Sequence, residues 1–215
     1  MDTPAPNVMD PVSTGTTLIA CEFKDGVVIG ADSRTSSGSF IVNRVTDKLC
    51  PLSDYIFCCR SGSAADTQAI ADIVKYRLDF HRIEQGRQPT VLEAANLFKN
   101  LCYNYRDSLS AGIIVAGWDE VLGGQVYSIP LGGMLLRRPA TMGGSGSTFV
   151  YGYMDKCFRQ NFEKNEALDY VKDCVSLAIG RDGSSGGCCR MAVISKNGVE
   201  RLLYKNNEIP VYFNM

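Results

Sequence analysis

Gly15-Thr16-Thr17-Leu18-Ile19-Ala20-Cys21-Glu22-Phe23-Lys24-Asp25-Gly26-Val27-Val28-Ile29-Gly30-Ala31-Asp32 is the stretch on which the fold turns. Residues 17–23 and 26–32 are apolar, β-prone runs that flank Lys24-Asp25-Gly26, and an Asp-Gly pair between such runs signals a tight β-hairpin. The chain changes character abruptly where this stretch begins. Three of the eight prolines fall in the first eleven residues, which show no hydrophobic period. Residues 1–15 therefore read as a loose leader and 16–215 as a single domain.

Working outward, further strands are expected at Phe40 to Asn43, Val45 to Leu49 and Tyr55 to Arg60, with loops rich in Ser, Gly and Pro between them. Ser63 is placed to cap a helix that carries Ile70, Ile73, Val74 and Leu78 on one face. Thr90-Val91-Leu92-Glu93 is a capping box that opens a second helix running to Cys102. Strands return at 112–118, 125–129 and 134–142, helical patterns follow at 148–162 and 166–179, and strands at 188–195 and 199–204 enclose Lys196-Asn197-Gly198. The order β, αα, β, αα, β favours stacked antiparallel sheets with helices outside over an alternating parallel sheet.

Composition narrows the function classes. With 22 basic and 23 acidic side chains, the formal charge of -1 gives no electrostatic case for nucleic acid or an anionic membrane surface. No apolar run approaches the roughly 20 residues of a membrane helix, so a soluble protein is expected. Nine cysteines are an odd number with two adjacent pairs, Cys58-Cys59 and Cys188-Cys189, and the start of the chain has no secretory h-region. A reducing cytosolic or nuclear compartment with buried thiols is the expectation. No Cys-x-x-Cys occurs and His81 is the single histidine, so no zinc site is expected.

The lone histidine also constrains mechanism. Gly183-Ser184-Ser185-Gly186-Gly187 matches G-x-S-x-G, but that elbow follows a strand and its histidine comes later in the chain, whereas here a helix precedes and His81 lies far upstream. Chemistry without histidine remains, and threonine activated by an N-terminal amine is one such solution. Cleavage between Gly15 and Thr16 would free an α-amine beside a hydroxyl, and its reference pKa of about 8 makes it a better base near neutral pH than lysine at about 10.4. Taken alone, Asp32 and Lys48 read as an ordinary surface ion pair, Arg60-Ser61-Gly62-Ser63 as a strand end and helix cap, and Gly143-Gly144-Ser145-Gly146-Ser147 as a flexible turn.

Taken in order, Gly15-Thr16-Thr17, Lys24-Asp25-Gly26, Gly30-Ala31-Asp32-Ser33-Arg34, Asp47-Lys48, the Cys59-to-Gln68 segment (CRSGSAADTQ), Gly144-to-Ser147 and Asp182-to-Gly187 closely resemble the catalytic β subunits of the eukaryotic 20S proteasome. The resemblance covers nearly all of residues 16 to 208 and is strongest to the caspase-like, post-glutamyl type. It implies an α+β fold, the N-terminal nucleophile hydrolase αββα sandwich, and peptide-bond hydrolysis through an ester on Thr16 that requires no metal or cofactor. Thr16 would supply the attacking Oγ; Lys48, held by Asp32, would lower its pKa or take its proton. Ser145, Asp182 and Ser185 would orient the threonine amine and a water, and the Gly62 N–H would serve as oxyanion donor. Arg60, Thr35 and Ser36 would contact substrate, with Arg60 selecting acidic P1 residues.

The same resemblance implies a propeptide, residues 1–15, cut by Thr16 at the Gly15 carbonyl. It implies unfolded polypeptide substrates, a barrel of two α and two β heptameric rings as the setting, and the cytoplasm and nucleus as location. Two other readings remain. A noncatalytic ring subunit would predict losses at Thr16, Lys48 or Asp182, and all three are present. An N-terminal nucleophile amidase for small amides fits the Gly144-to-Ser147 and Asp182-to-Gly186 segments less well.

Overall fold

The hairpin at the start of the chain is the centre of a sheet. In the computed structural model, which describes residues 15–37 and 40–212, strands β1 (Leu18–Phe23) and β2 (Gly26–Ala31) pair antiparallel from Leu18↔Ala31 to Phe23↔Gly26. Lys24 and Asp25 alone make the turn, with Gly26 already in the ladder. The chain continues through β3 (Thr35–Ser37), β4 (Phe40–Asn43), β5 (Leu49–Ser53), β6 (Ile56–Gly62), α1 (Ala64–Gln85) and α2 (Val91–Asn104). It then forms β7 (Ala111–Asp119), β8 (Gly123–Ile129), β9 (Leu136–Arg137), β10 (Ala140–Gly143), α3 (Tyr151–Cys157), α4 (Lys164–Ile179), β11 (Cys189–Ser195) and β12 (Gly198–Tyr204).

Two five-stranded antiparallel sheets result, ordered β10-β1-β2-β11-β12 and β5-β6-β7-β8-β9, with β3 and β4 as a separate pair. Period-two alternation sorts their side chains into three apolar layers. On β6, Ile56 and Cys58 join Val74, Leu78 and Phe98 beneath α1 and α2, whereas Phe57 and Cys59 join Leu18, Ile29 and Ile114 between the sheets. On β1, Ile19 and Cys21 face Val171, Cys174 and Val175 of α4. This is a four-layer α+β sandwich, helices outside and both sheets buried on two faces. Those faces explain why the strands read as continuous apolar runs rather than as alternating ones.

The helix starts follow their caps. Ser63 Oγ accepts from the Asp66 N–H at 3.3 Å, and Thr90 and Glu93 exchange both capping-box bonds, at 3.2 and 2.7 Å.

Three expected elements differ. Residues 45–48 are irregular, and the strand begins at Leu49 where it was expected to end. Local bonds compete with a ladder there: the Asp47 carboxylate accepts from the Leu49 N–H at 3.0 Å, and the Thr46 N–H donates to the Ser33 carbonyl at 3.0 Å. The single strand expected over 134–142 is β9 and β10, which lie in different sheets and are divided at Pro139, a residue with no N–H to give a ladder. Its carbonyl instead accepts from the Glu22 N–H at 2.7 Å, carrying the chain from one sheet to the other. The helix expected over 148–162 is a 3-10 turn (Ser145–Phe149) followed by α3, which ends at Cys157. Phe158 and Phe162 leave the helical path to pack on each other and on Tyr170 of α4.

Candidate active site

Thr16 and Thr17 lead into β1, and the neighbouring ends of both sheets deliver the groups around Thr16. Its hydroxyl is bracketed by two atoms: Oγ1 donates to the Gly15 carbonyl at 2.5 Å and accepts from Lys48 Nζ at 3.1 Å. Lys48, on the irregular run before β5, also donates to Asp32 Oδ1 at 2.7 Å and to the Gly15 carbonyl at 3.0 Å. The three protons of an ammonium group are thereby matched to three acceptors. The Asp32–Lys48 pair is not at the surface: the two side chains are 0% and 6% exposed. Burial is the largest influence on Lys48 and holds its pKa below the ordinary lysine value, against the opposing pull of the Asp32 charge.

Asp32 follows β2 and is fully buried, with four donors around its carboxylate. Oδ1 accepts from the Thr17 N–H at 2.9 Å besides Lys48, and Oδ2 accepts from the N–H groups of Arg34 at 3.1 Å and Gly186 at 3.0 Å. One carboxylate thus ties the start of β1, the end of β2, Lys48 and the loop after α4 to each other.

A second carboxylate organises the other flank. Asp182 Oδ2 accepts from Ser145 Oγ at 2.7 Å and from Ser185 Oγ at 2.6 Å, and Oδ1 accepts from the Ser184 N–H at 2.9 Å. Each serine has one proton, and both protons are committed to Asp182. It follows that Ser145 Oγ accepts from the Thr16 N–H at 3.1 Å, and that in the 2.7 Å contact between Thr17 Oγ1 and Ser185 Oγ the threonine donates. The Thr16 N–H and the Thr17 hydroxyl thus both donate toward the carboxylate through the two serines, while Ser145 Oγ also stands 3.4 Å from the Thr16 carbonyl, a longer contact than the 2.7 Å one that takes its proton. Ser185 acts within it as a supporting hydroxyl on a loop that follows a helix, and His81 lies on α1 beside Glu93 at 3.4 Å, apart from these groups.

Gly62 closes the site on the side of β6. Its φ of +105° is a region that side chains rarely adopt, and a Cβ there would run into the Ser110 carbonyl. A cleft of about 400 Å³ opens beside Thr16, lined by Gly15, Ser61, Gly62, Ile113, Leu131 and Ser145 among others.

The structure therefore brings together Thr16, Asp32, Lys48, Ser145, Asp182 and Ser185, with Gly62 across the cleft. Of the expected substrate contacts, none of Arg60, Thr35 and Ser36 is among the residues lining that cleft. Arg60 falls on the face of β6 shared by Ile56 and Cys58, and its Nε is buried without a hydrogen-bond partner among the described residues. Thr35 bonds to Thr46 between hydroxyls at 2.8 Å, and Ser36 is buried in β3. Sequence reasoning passed over Thr17 and Arg34. The signal for Thr17 was a second polar residue at the mouth of an apolar strand, and for Arg34 a cation two residues after Asp32; its Nη1 donates to the Gly183 carbonyl at 2.9 Å.

Among the described residues no helix is long and apolar enough to cross a membrane. Comparison with known proteins places this geometry in a family. The family model described as Proteasome subunit matches residues 12–194. Saccharomyces cerevisiae proteasome subunit beta type-1 is 56% identical over 92% of this chain and 91% of its own length. The Schizosaccharomyces pombe probable proteasome subunit beta type-1 is 53% identical, covering 94% of this chain and 90% of its own. Dictyostelium discoideum proteasome subunit beta type-6 is 50% identical, covering 97% and 98%. On the family match and these identities, the chain belongs to the proteasome subunit family, among its β-type members.

Proposed function

We propose that this chain is a catalytic β subunit, a threonine endopeptidase that matures by cutting its own Gly15-Thr16 bond and then cleaves polypeptides held beside Thr16. The observation that carries this reading is the buried amine of Lys48, held by Asp32 and within hydrogen-bond reach of Thr16 Oγ1. As a neutral amine, Lys48 would turn its lone pair to the hydroxyl and take its proton.

In the intact chain, Thr16 Oγ1 adds to the Gly15 carbonyl carbon while a Lys48 N–H steadies the developing charge on the carbonyl oxygen. The C–N bond breaks, the nitrogen keeps its electron pair and gains a proton, and an ester joins Gly15 to Oγ1. Water hydrolyses that ester, releasing residues 1–15 and leaving a free amine beside Ser145. Residues 1–14 lie outside the described residues. A substrate peptide then repeats the chemistry from the cleft, with its carbonyl oxygen turned toward the Gly62 backbone N–H. Acidic residues before the cut are the preferred class, with Arg60 as the selecting cation. The unpartnered Arg60 Nε supports that choice, because a carboxylate would satisfy it. The setting is a barrel of α and β rings in the cytoplasm and nucleus.

Thr16→Ala tests the reading directly. Peptidase activity and loss of the leader should vanish together, because one hydroxyl serves both. An alanine variant that still cleaved peptides, in particles where neighbouring sites are inhibited, would remove the catalytic assignment.

A further inference from the structure

Two thiols that the Thr16 chemistry does not use face each other across β5 and β6. Cys50 and Cys58 are direct register partners in that antiparallel pair, and both side chains belong to the apolar layer beneath α1 and α2. Directly opposed residues have Cα atoms about 4.5 or 5.5 Å apart, depending on whether the pair is hydrogen-bonded. Either separation lies inside the range of about 4.4–6.8 Å that a disulfide spans. The adjacent Cys59 cannot substitute for Cys58, because alternation sends it to the layer between the sheets.

The two partners differ in access and in acidity. Cys58 is fully buried, whereas Cys50 is half-buried on the edge strand of its sheet. The hydrogen bond with Cys58, assisted by the Arg60 charge, brings the Cys50 thiol below the ordinary cysteine value, while burial pushes the Cys58 thiol up. A reachable thiol with thiolate character beside a protonated, enclosed one is the arrangement of an attacking and a resolving cysteine.

We propose that Cys50 and Cys58 form a peroxide-oxidisable dithiol that closes to a disulfide between β5 and β6. The Cys50 thiolate attacks one oxygen of hydrogen peroxide, breaking the O–O bond and expelling hydroxide, and becomes a sulfenic acid. The Cys58 sulfur then attacks the Cys50 sulfur; the S–O bond breaks, water departs with the Cys58 proton, and the S–S bond forms. Two thiols have together given up two electrons and two protons to one peroxide, which leaves as two waters. The bond would join the strand that Lys48 leads into to the strand that ends at Gly62.

Leu49 to Arg60 contains no internal Lys or Arg, so one tryptic peptide carries Cys50, Cys58 and Cys59. The complex purified from cells is treated with hydrogen peroxide, quenched in acid, unfolded, and alkylated with a light maleimide. It is then reduced and alkylated with a heavy one. Fragmentation of that peptide should find the heavy label on Cys50 and Cys58 in equal amounts and the light label on Cys59. In Cys50→Ser the heavy label should disappear from Cys58, while Cys59→Ala should leave both heavy labels in place. Heavy label on Cys50 alone, on Cys58 in the serine variant, or on neither cysteine after peroxide would each overturn the proposal.

Discussion

Lys48 Nζ lies 3.0 Å from the Gly15 carbonyl oxygen, so the amine that touches the Thr16 hydroxyl also touches the atom that would take up charge when the leader is cut. In the uncut chain Thr16 has no free amine, and the pH dependence of leader loss isolates Lys48. Only the neutral amine accepts a proton, and its fraction rises with pH through the folded-state pKa. Burial sets that pKa below the ordinary lysine value, so the cleavage rate should climb with pH and level off before about 10.4. Lys48→Arg, which stays protonated, should not cleave. Mass spectrometry of unprocessed chain held at a series of pH values reads both, and a rate indifferent to pH would remove Lys48 from this step.

Asp32→Asn tests whether one buried carboxylate holds the site. The substitution leaves the buried Lys48 amine without its direct counter-charge, a loss of about 3–5 kcal/mol for a broken buried pair. The thermal midpoint of the assembled particle should fall and leader removal should slow by orders of magnitude. With the opposite charge gone, the Lys48 pKa drops further, so any residual cleavage should rise with pH over a lower range than in the parent. An unchanged midpoint would mean that the four hydrogen bonds to Asp32 contribute little.

Gly62→Ala places a side chain where φ is +105° and where the Ser110 carbonyl blocks it, so the backbone must move. If the Gly62 N–H stabilises an oxyanion, kcat should fall by about 10²–10³ with KM changed far less. A loss confined to KM would assign Gly62 to substrate docking instead.

Arg60→Met should lower kcat/KM for Glu or Asp at P1 by about ten- to a hundredfold, the size of a charge-assisted hydrogen bond, and raise it for apolar P1. Fluorogenic peptides differing only at P1, with the other sites of the particle inhibited, give the ratio. An unchanged ratio would leave specificity to residues that line the cleft, such as Ile113 and Leu131.

The parts of the fold that were legible in the sequence share a local cause. The β1–β2 hairpin and the starts of α1 and α2 depend on a turn pair and on caps a few residues long. What was not legible depends on distant partners. Nothing near Pro139 says that its carbonyl will bond Glu22 and that residues 136–143 will divide between two sheets. The candidate site shows the same division. Asp32 and Lys48 gave no sign from their own neighbourhoods of being buried, since the contacts that enclose them come from other segments, among them the Gly186 N–H on Asp32, 154 residues away in the chain. The resemblance supplied the grouping, and the hydrogen-bond directions among Thr16, Thr17, Ser145 and Ser185 became readable only when Asp182 was in place.

The bond from the Gly186 N–H to Asp32 has a consequence for timing. Translation delivers Thr16, Asp32 and Lys48 first, and Asp182 and Gly186 emerge more than a hundred residues later. A nascent polypeptide that stops short of Asp182 carries Thr16 and Lys48 without either organising contact. On the proposed reading the order of synthesis itself guards the Gly15-Thr16 bond: a chain truncated or stalled before Asp182 should keep its leader, because neither organising contact has yet been made.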